Sequence, residues 1–135
     1  MTLITWDSSL SVGITAFDNH HQHLIEILNE LHTAMRAGSG KLVVGELLEQ
    51  LVDYTKTHFA SEESLLYKYK YPAYNAHIQE HAELTQKVVD FVKRYQNGEA
   101  ALTIEVMTFL KGWLTHHILE TDKHYTAFLK AKGEK

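Results

Sequence analysis

A single proline, Pro72, interrupts a chain of 135 residues, and each long segment between the breakers repeats its apolar residues at steps of three and four. This pairing constrains the fold more than any other feature. Proline is poorly tolerated inside a helix, and a three-to-four repeat lines apolar side chains along one helix face. Glycines mark where the chain turns: Gly38 and Gly40 within Ala-Gly-Ser-Gly, Gly98 after Asn97, and Gly133 near the end. The breakers divide the chain into helices over about residues 18–37, 41–69, 73–96 and 101–121. A short C-terminal piece with Tyr125, Phe128 and Leu129 follows.

The stripes define which faces turn inward. They read His21, Leu24, Leu28, Leu31 and Met35 in the first helix, and Val44, Leu47, Leu51, Tyr54, His58, Glu62 and Leu65 in the second. The third carries His77, His81, Leu84, Val88, Phe91 and Tyr95, and the fourth Leu102, Val106, Phe109, Trp113 and His117. Asp18 reads as the N-cap of the first helix, Pro72 as the start of the third, and Asn97-Gly98 as its stop. Four amphipathic helices with brief connections predict an all-α, up-down-up-down antiparallel four-helix bundle. Residues 1–17, with Trp6 and Phe17, are expected to lie on it as an N-terminal arm, and a short C-terminal helix completes a single domain over residues 1–135.

Composition narrows the chemistry. The chain has no cysteine, which excludes disulfides, thiolate zinc sites, iron–sulfur clusters and cysteine nucleophiles. A net charge of −4 with scattered Lys and Arg argues against nucleic acid as a partner. The N-terminal Met-Thr-Leu-Ile-Thr-Trp stretch lacks the basic start of a secretory signal, and no segment approaches the roughly 18 apolar residues of a membrane span. A soluble cytoplasmic protein is the expectation. Ten histidines, nearly as many as the thirteen Lys plus Arg, are the anomaly.

Seven of the groups that bind metals interrupt the apolar stripes at one level. His58 and Glu62, and His77 and His81, are i,i+4 pairs, which place two side chains on one face within reach of one ion. Traced antiparallel, His21 near the start of helix one, His58 and Glu62 late in helix two, His77 and His81 early in helix three, and His117 and Asp122 at the end of helix four all converge on one end of the bundle. Five histidines and two carboxylates buried together without a metal would cost several kcal/mol per unpaired charge. His117 and Asp122 are five apart, about 140° around a regular helix, which suits either a carboxylate reaching between two metals or a local distortion of the helix end. His20 and His23 rival His21, and His116 rivals His117. The stripe through Leu24, Leu28 and Leu31 favours His21. His32 and His124 have no assigned role and are expected in solvent.

Asp18-Asn19-His20-His21, His58-Phe59-Ala60-Ser61-Glu62-Glu63, His77-Ile78-Gln79-Glu80-His81 and Trp113-Leu114-Thr115-His116-His117-Ile118 with Asp122 together resemble the hemerythrin family, especially its single-domain bacterial members. Tyr71-Pro72 and Trp6 match as well, and the likeness covers nearly the whole chain. The chain departs from the family at His20, where glutamine is common. The resemblance implies two iron ions with a bridging oxide or hydroxide. His77, His81 and His117 would hold one iron, His21 and His58 the other, and Glu62 and Asp122 would bridge them. It also favours His117 over His116, and implies an apolar dioxygen pocket of Leu24, Phe59, Trp113, Leu114 and Ile118; packing alone would equally place those five in the core.

This ligand set fills all but one position of two octahedral irons, and the vacancy falls on the iron with two histidines. Dioxygen is the implied ligand there. Neutral imidazoles stabilise high oxidation states less than the carboxylate-rich sites of other di-iron bundles, which favours reversible binding over oxygen activation. The expectation is therefore an oxygen carrier or store and not an enzyme, a monomer with an oxygen-consuming enzyme as a possible recipient. Oxygen or redox sensing, iron storage and peroxide removal are the alternatives at the same site. His77-Ile78-Gln79-Glu80-His81 also fits the inverted zinc-protease pattern, with Glu80 as the base. That reading leaves His21, His58, Glu62, His117 and Asp122 unexplained.

Overall fold

The computed structural model describes residues 4–38, 41–98, 104–118 and 123–134. Four long helices form the bundle: α1 (Thr15–Arg36), α2 (Lys41–Lys68), α3 (Tyr74–Gln96) and α4 (Ile104–His116); a short α5 (Lys123–Ala131) follows. α1 packs on α2 and α4, and α2 on α3. No strand occurs among the described residues, and no described helix is long and apolar enough to cross a membrane. The predicted residues Leu102 and Asp122 lie outside the described residues.

The arm is tied down by named bonds. Ile4 N–H donates to Asn29 Oδ1 and Asn29 Nδ2 donates to Ile4 O, each at 2.9 Å, so one side chain satisfies both backbone groups of Ile4. Ile4, Leu10, Val12 and Ile14 are buried, which gives the arm a hydrophobic anchor. Thr126 Oγ1 donates to Val12 O at 2.6 Å and ties the arm to α5 as well. At Gly13 the backbone is left-handed (φ +78°), and a Cβ there would lie 2.6 Å from Lys130 Cε. That left-handed conformation favours glycine, whereas the Lys130 side-chain end is flexible and could move aside for a Cβ.

Asp18 is not the N-cap of α1. The cap is Ile14, and the Asp18 carboxylate reaches back from the first turn to accept from Val12 N–H at 2.8 Å and Ser11 Oγ at 2.6 Å. The acid still lies at the positive end of the helix dipole, but it orders the arm. Pro72 likewise precedes α3, whose N-cap is Ala73. It occupies the second position of a turn closed by Tyr74 N–H to Tyr71 O at 3.0 Å, where its fixed φ is suitable. α2 ends in a Schellman motif, with Tyr71 N–H donating to Leu66 O at 3.0 Å and Lys70 N–H to Tyr67 O at 3.1 Å. Lys70 holds the left-handed position of that motif at φ 55°.

The inward faces match the stripes in α1 and shift slightly elsewhere. In α2 the buried positions are Val44, Leu48, Leu51, Thr55, His58, Phe59, Glu62 and Leu66, with Leu47, Tyr54 and Leu65 on the edge of the face. In α4 Phe109 is 44% exposed, while Met107, Leu110, Trp113 and Leu114 are buried. The segment is apolar in two adjacent phases, and packing on the neighbouring helices selects one of them. His117 and Ile118 continue α4 with π geometry, so the helix end is locally widened.

Candidate metal centre

His21, His58, Glu62, His77, His81 and His117 are all buried, none more than 5% exposed. The i,i+4 spacing in α2 places His58 one turn before Glu62, and the same spacing in α3 brings the His77 ring edge-on to His81 with ring centroids 4.3 Å apart. α1 contributes His21 and the widened end of α4 contributes His117. Glu62 lies at the centre. Its Oε2 is 3.3 Å from His58 Nε2 and 3.9 Å from His21 Nε2. Its Oε1 is 3.1 Å from His81 Nε2, 3.7 Å from His117 Nε2 and 3.8 Å from His77 Nε2. One carboxylate oxygen therefore faces two histidines, and the other faces three.

These contacts are poor hydrogen bonds. Among the described residues, buried Glu62 Oε1 and His81 Nε2 make no hydrogen bond of acceptable geometry. His21 Nε2 and His58 Nε2 point at each other across 3.0 Å, a pair that can share one proton at most. Two donors on one ion, each roughly 2.1 Å from it, lie roughly 3–4 Å apart. That is the separation observed. Among the described residues, two groups have ligand atoms within 4.8 Å of one another: His21, His58 and Glu62, and Glu62, His77 and His81, with Glu62 common to both. The donor set fits a pair of cations sharing one carboxylate, and it is entirely nitrogen and oxygen. Burial by itself pushes the Glu62 carboxyl up, but the facing His58 ring and the imidazoles of His117 and His77 together hold it well below the usual carboxylate range.

The rival histidines separate cleanly. His23 is half-exposed beside Glu26, at 3.9 Å, and packs on the Tyr54 ring. His20 is half-buried and turns its Nδ1 to His58 Nδ1 at 2.8 Å, so it touches a member of the cluster from outside. Burial and then the neighbouring His58 lower its pKa. His116 and His124 are exposed and line a cavity of about 270 Å³ with Tyr71, Ala73, Ala76, Glu80 and His77. His32 departs from expectation: it is half-buried, with a buried Nδ1. Glu80 lies on that cavity outside the cluster, while His77 and His81 both turn Nε2 to Glu62, an arrangement unlike a site in which Glu80 activates water.

The five expected pocket residues Leu24, Phe59, Trp113, Leu114 and Ile118 are buried. Phe59 is stacked on His81 with centroids 3.8 Å apart and planes 3° from parallel, and it also touches His117 at 4.9 Å.

Two contributors escaped the sequence reading. Tyr125, fully buried in α5, donates its phenol to Glu62 Oε2 at 2.6 Å and packs between Phe17 and His77. In the sequence it reads only as an apolar residue of a short helix, and no spacing signals a bond across 63 positions. Glu63 places Oε2 3.5 Å from His81 Nδ1. Its position next to Glu62 was the available clue, since ligating histidines commonly pass their second N–H to a carboxylate.

The family model for the hemerythrin HHE cation binding domain matches residues 12–129. A bacteriohemerythrin of Stenotrophomonas maltophilia is 37% identical over 131 residues, covering 97% of this chain and 84% of the relative. One from Methylococcus capsulatus is 32% identical over 132 residues, covering 97% of this chain and all of the relative. A crystal structure of wild-type hemerythrin superposes with a TM-score of 0.85 at 31% identity, covering 93% of this chain and 96% of that one. A leucine-to-tyrosine variant of hemerythrin gives 0.87, with 94% and 97% covered. With its helical bundle and its buried histidine–glutamate cluster fitted to metal, this chain belongs to the hemerythrin family.

Proposed function

We propose that the chain binds dioxygen reversibly at a non-haem di-iron centre, for transport, storage or delivery. One observation carries this reading: Glu62 divides the cluster unequally, with one oxygen toward His21 and His58 and the other toward His77, His81 and His117. Two cations held that way differ by one protein ligand, and the ion with fewer retains room for an exogenous molecule. His77, His81 and His117 would hold one iron, His21 and His58 the second, with Glu62 and Asp122 between them; Asp122 enters from the sequence pattern alone. When bound, the irons supply reversible one-electron chemistry toward dioxygen, one electron from each ion.

The protein's own residues set the conditions. The buried side chains of Leu24, Phe59, Trp113, Leu114 and Ile118 exclude water and so suppress the proton supply that would make oxygen uptake irreversible. The Tyr125 phenol holds Glu62 Oε2 in place. Neutral imidazoles outnumber carboxylates, which supports binding without turnover and hence a carrier rather than an enzyme. The reading includes a monomer in the cytoplasm that gives its oxygen to an oxygen-consuming enzyme.

The test is iron analysis with visible spectroscopy of the reduced protein before air, in air and then under vacuum. A charge-transfer band that appears in air and disappears under vacuum is the expected result. A colourless protein that carries zinc and no iron would overturn it, and steady peroxide consumption would replace the carrier with an enzyme.

A further inference from the structure

His20 stands outside the cluster, yet it approaches a cluster nitrogen more closely than any member does. Its Nδ1 is 2.8 Å from His58 Nδ1, with the rings 83° apart and their centroids separated by 5.0 Å. Two imidazole nitrogens at that distance must share a single hydrogen. Two lone pairs would repel, and two N–H groups would collide. The other face of His58 decides which ring carries it. His58 Nε2 lies 3.3 Å from Glu62 Oε2 and 3.0 Å from His21 Nε2, inside the proposed centre, and a ligating nitrogen must present a lone pair. The hydrogen of neutral His58 is then on Nδ1, His20 Nδ1 is the acceptor, and His20 carries its own hydrogen on Nε2.

We infer that His20 is the positioning residue for His58: by accepting the Nδ1 hydrogen it locks His58 in the tautomer and ring orientation that present Nε2 to the two-histidine half of the metal centre. This inference rests on the metal reading above. Consecutive residues point about 100° apart around a helix, so α1 supplies a ligand candidate at His21 and, with the next side chain, the support for the ligand candidate on α2. His20 is itself held. The Tyr54 ring meets it edge-on at 5.9 Å, and Phe17 lies 6.0 Å away on a tilted plane. The two halves of the centre thus receive different outer support, a neutral imidazole behind His58 and the Glu63 carboxylate behind His81.

The experiment compares iron retention by the holoprotein against a competing ferrous chelator in His20→Ala, His20→Gln and His58→Ala. His58→Ala is expected to lose iron. His20→Ala is expected to weaken retention by roughly 10–100-fold, the usual effect of removing an outer partner of a ligating histidine. His20→Gln, whose amide oxygen also accepts, is expected to recover most of that loss. If His58→Ala loses iron while His20→Ala retains it, or if Gln is no better than Ala, the positioning role is wrong and the metal centre stands. If His58→Ala retains iron like the parent chain, the metal reading fails and the inference fails with it. A second measurement needs no substitution: ¹⁵N NMR of the zinc-loaded protein should give an unprotonated Nδ1 on His20 and a protonated Nδ1 on His58. The reverse assignment overturns the inference.

Discussion

Replacing Tyr125 with phenylalanine removes the phenol that reaches Glu62 at the centre of the molecule. Tyr125 is fully buried, and Phe keeps its ring against Phe17 at 5.8 Å and His77 at 5.6 Å, so no cavity of consequence opens. What disappears is the 2.6 Å donation to Glu62 Oε2, a charge-assisted bond inside a region that water does not reach. Hydrogen bonds to charged groups contribute about 1.5–3 kcal/mol, and burial places this one in the upper half of that range. For a chain of this length, about 2.5 kcal/mol corresponds to a fall of roughly 8–10 °C in Tm. Urea and thermal unfolding of the purified protein measure it. Tyr69→Phe is the matched control: its hydroxyl donates to Glu134 Oε1 at the same 2.6 Å, but near solvent, and water can replace the lost partner. Tyr125→Phe should also release iron to a chelator more readily, because Glu62 loses the group that orients it. Equal unfolding midpoints for the two variants, with unchanged iron retention, would refute the reasoning.

Three further outcomes are expected. His77→Ala and Glu62→Ala should each lose iron and the oxygen-dependent visible band, whereas His32→Ala, outside the cluster, should keep both; metal analysis with absorption spectroscopy checks this. Lys70→Gly should stabilise the protein by about 1 kcal/mol, since Lys70 sits at φ 55° in the Schellman turn where glycine is unstrained; the urea midpoint measures it. Leu110→Ala should cost about 2–5 kcal/mol in equilibrium unfolding and its neighbour Phe109→Ala far less, because Leu110 is fully buried and Phe109 is 44% exposed. Equal losses at the two positions would mean that the face of α4 has been assigned in the wrong phase.

The contrast between Phe109 and Leu110 shows where a one-dimensional pattern stops. Helical period reports that a segment is amphipathic, but an apolar residue in each of two adjacent phases leaves the buried face undetermined. Neighbouring helices must then choose it. The same limit applied at helix starts. Asp18 and Pro72 carry real local preferences, yet the first-turn acid binds back to Ser11 and Val12 to order the arm, and the proline closes the Tyr71–Tyr74 turn ahead of the helix.

The cluster itself was legible from spacing. The i,i+4 pairs His58/Glu62 and His77/His81, and the single convergent level of His21 and His117, follow from helix geometry and antiparallel tracing alone, and residue type excluded sulfur ligation. The stripe through Leu24, Leu28 and Leu31 already favoured His21 over His20 and His23, and the family resemblance favoured His117 over His116; the bundle buries both, because adjacent residues on a helix differ by about 100° and only one of each set faces inward. The partition of Glu62 between two and three histidines, the Tyr125 phenol on its Oε2 and the His20 nitrogen behind His58 are likewise decisions of tertiary structure. Apart from the His58–Glu62 pair, they join residues far apart in the chain through contacts of a few ångströms, and nothing in local periodicity encodes a contact of that kind.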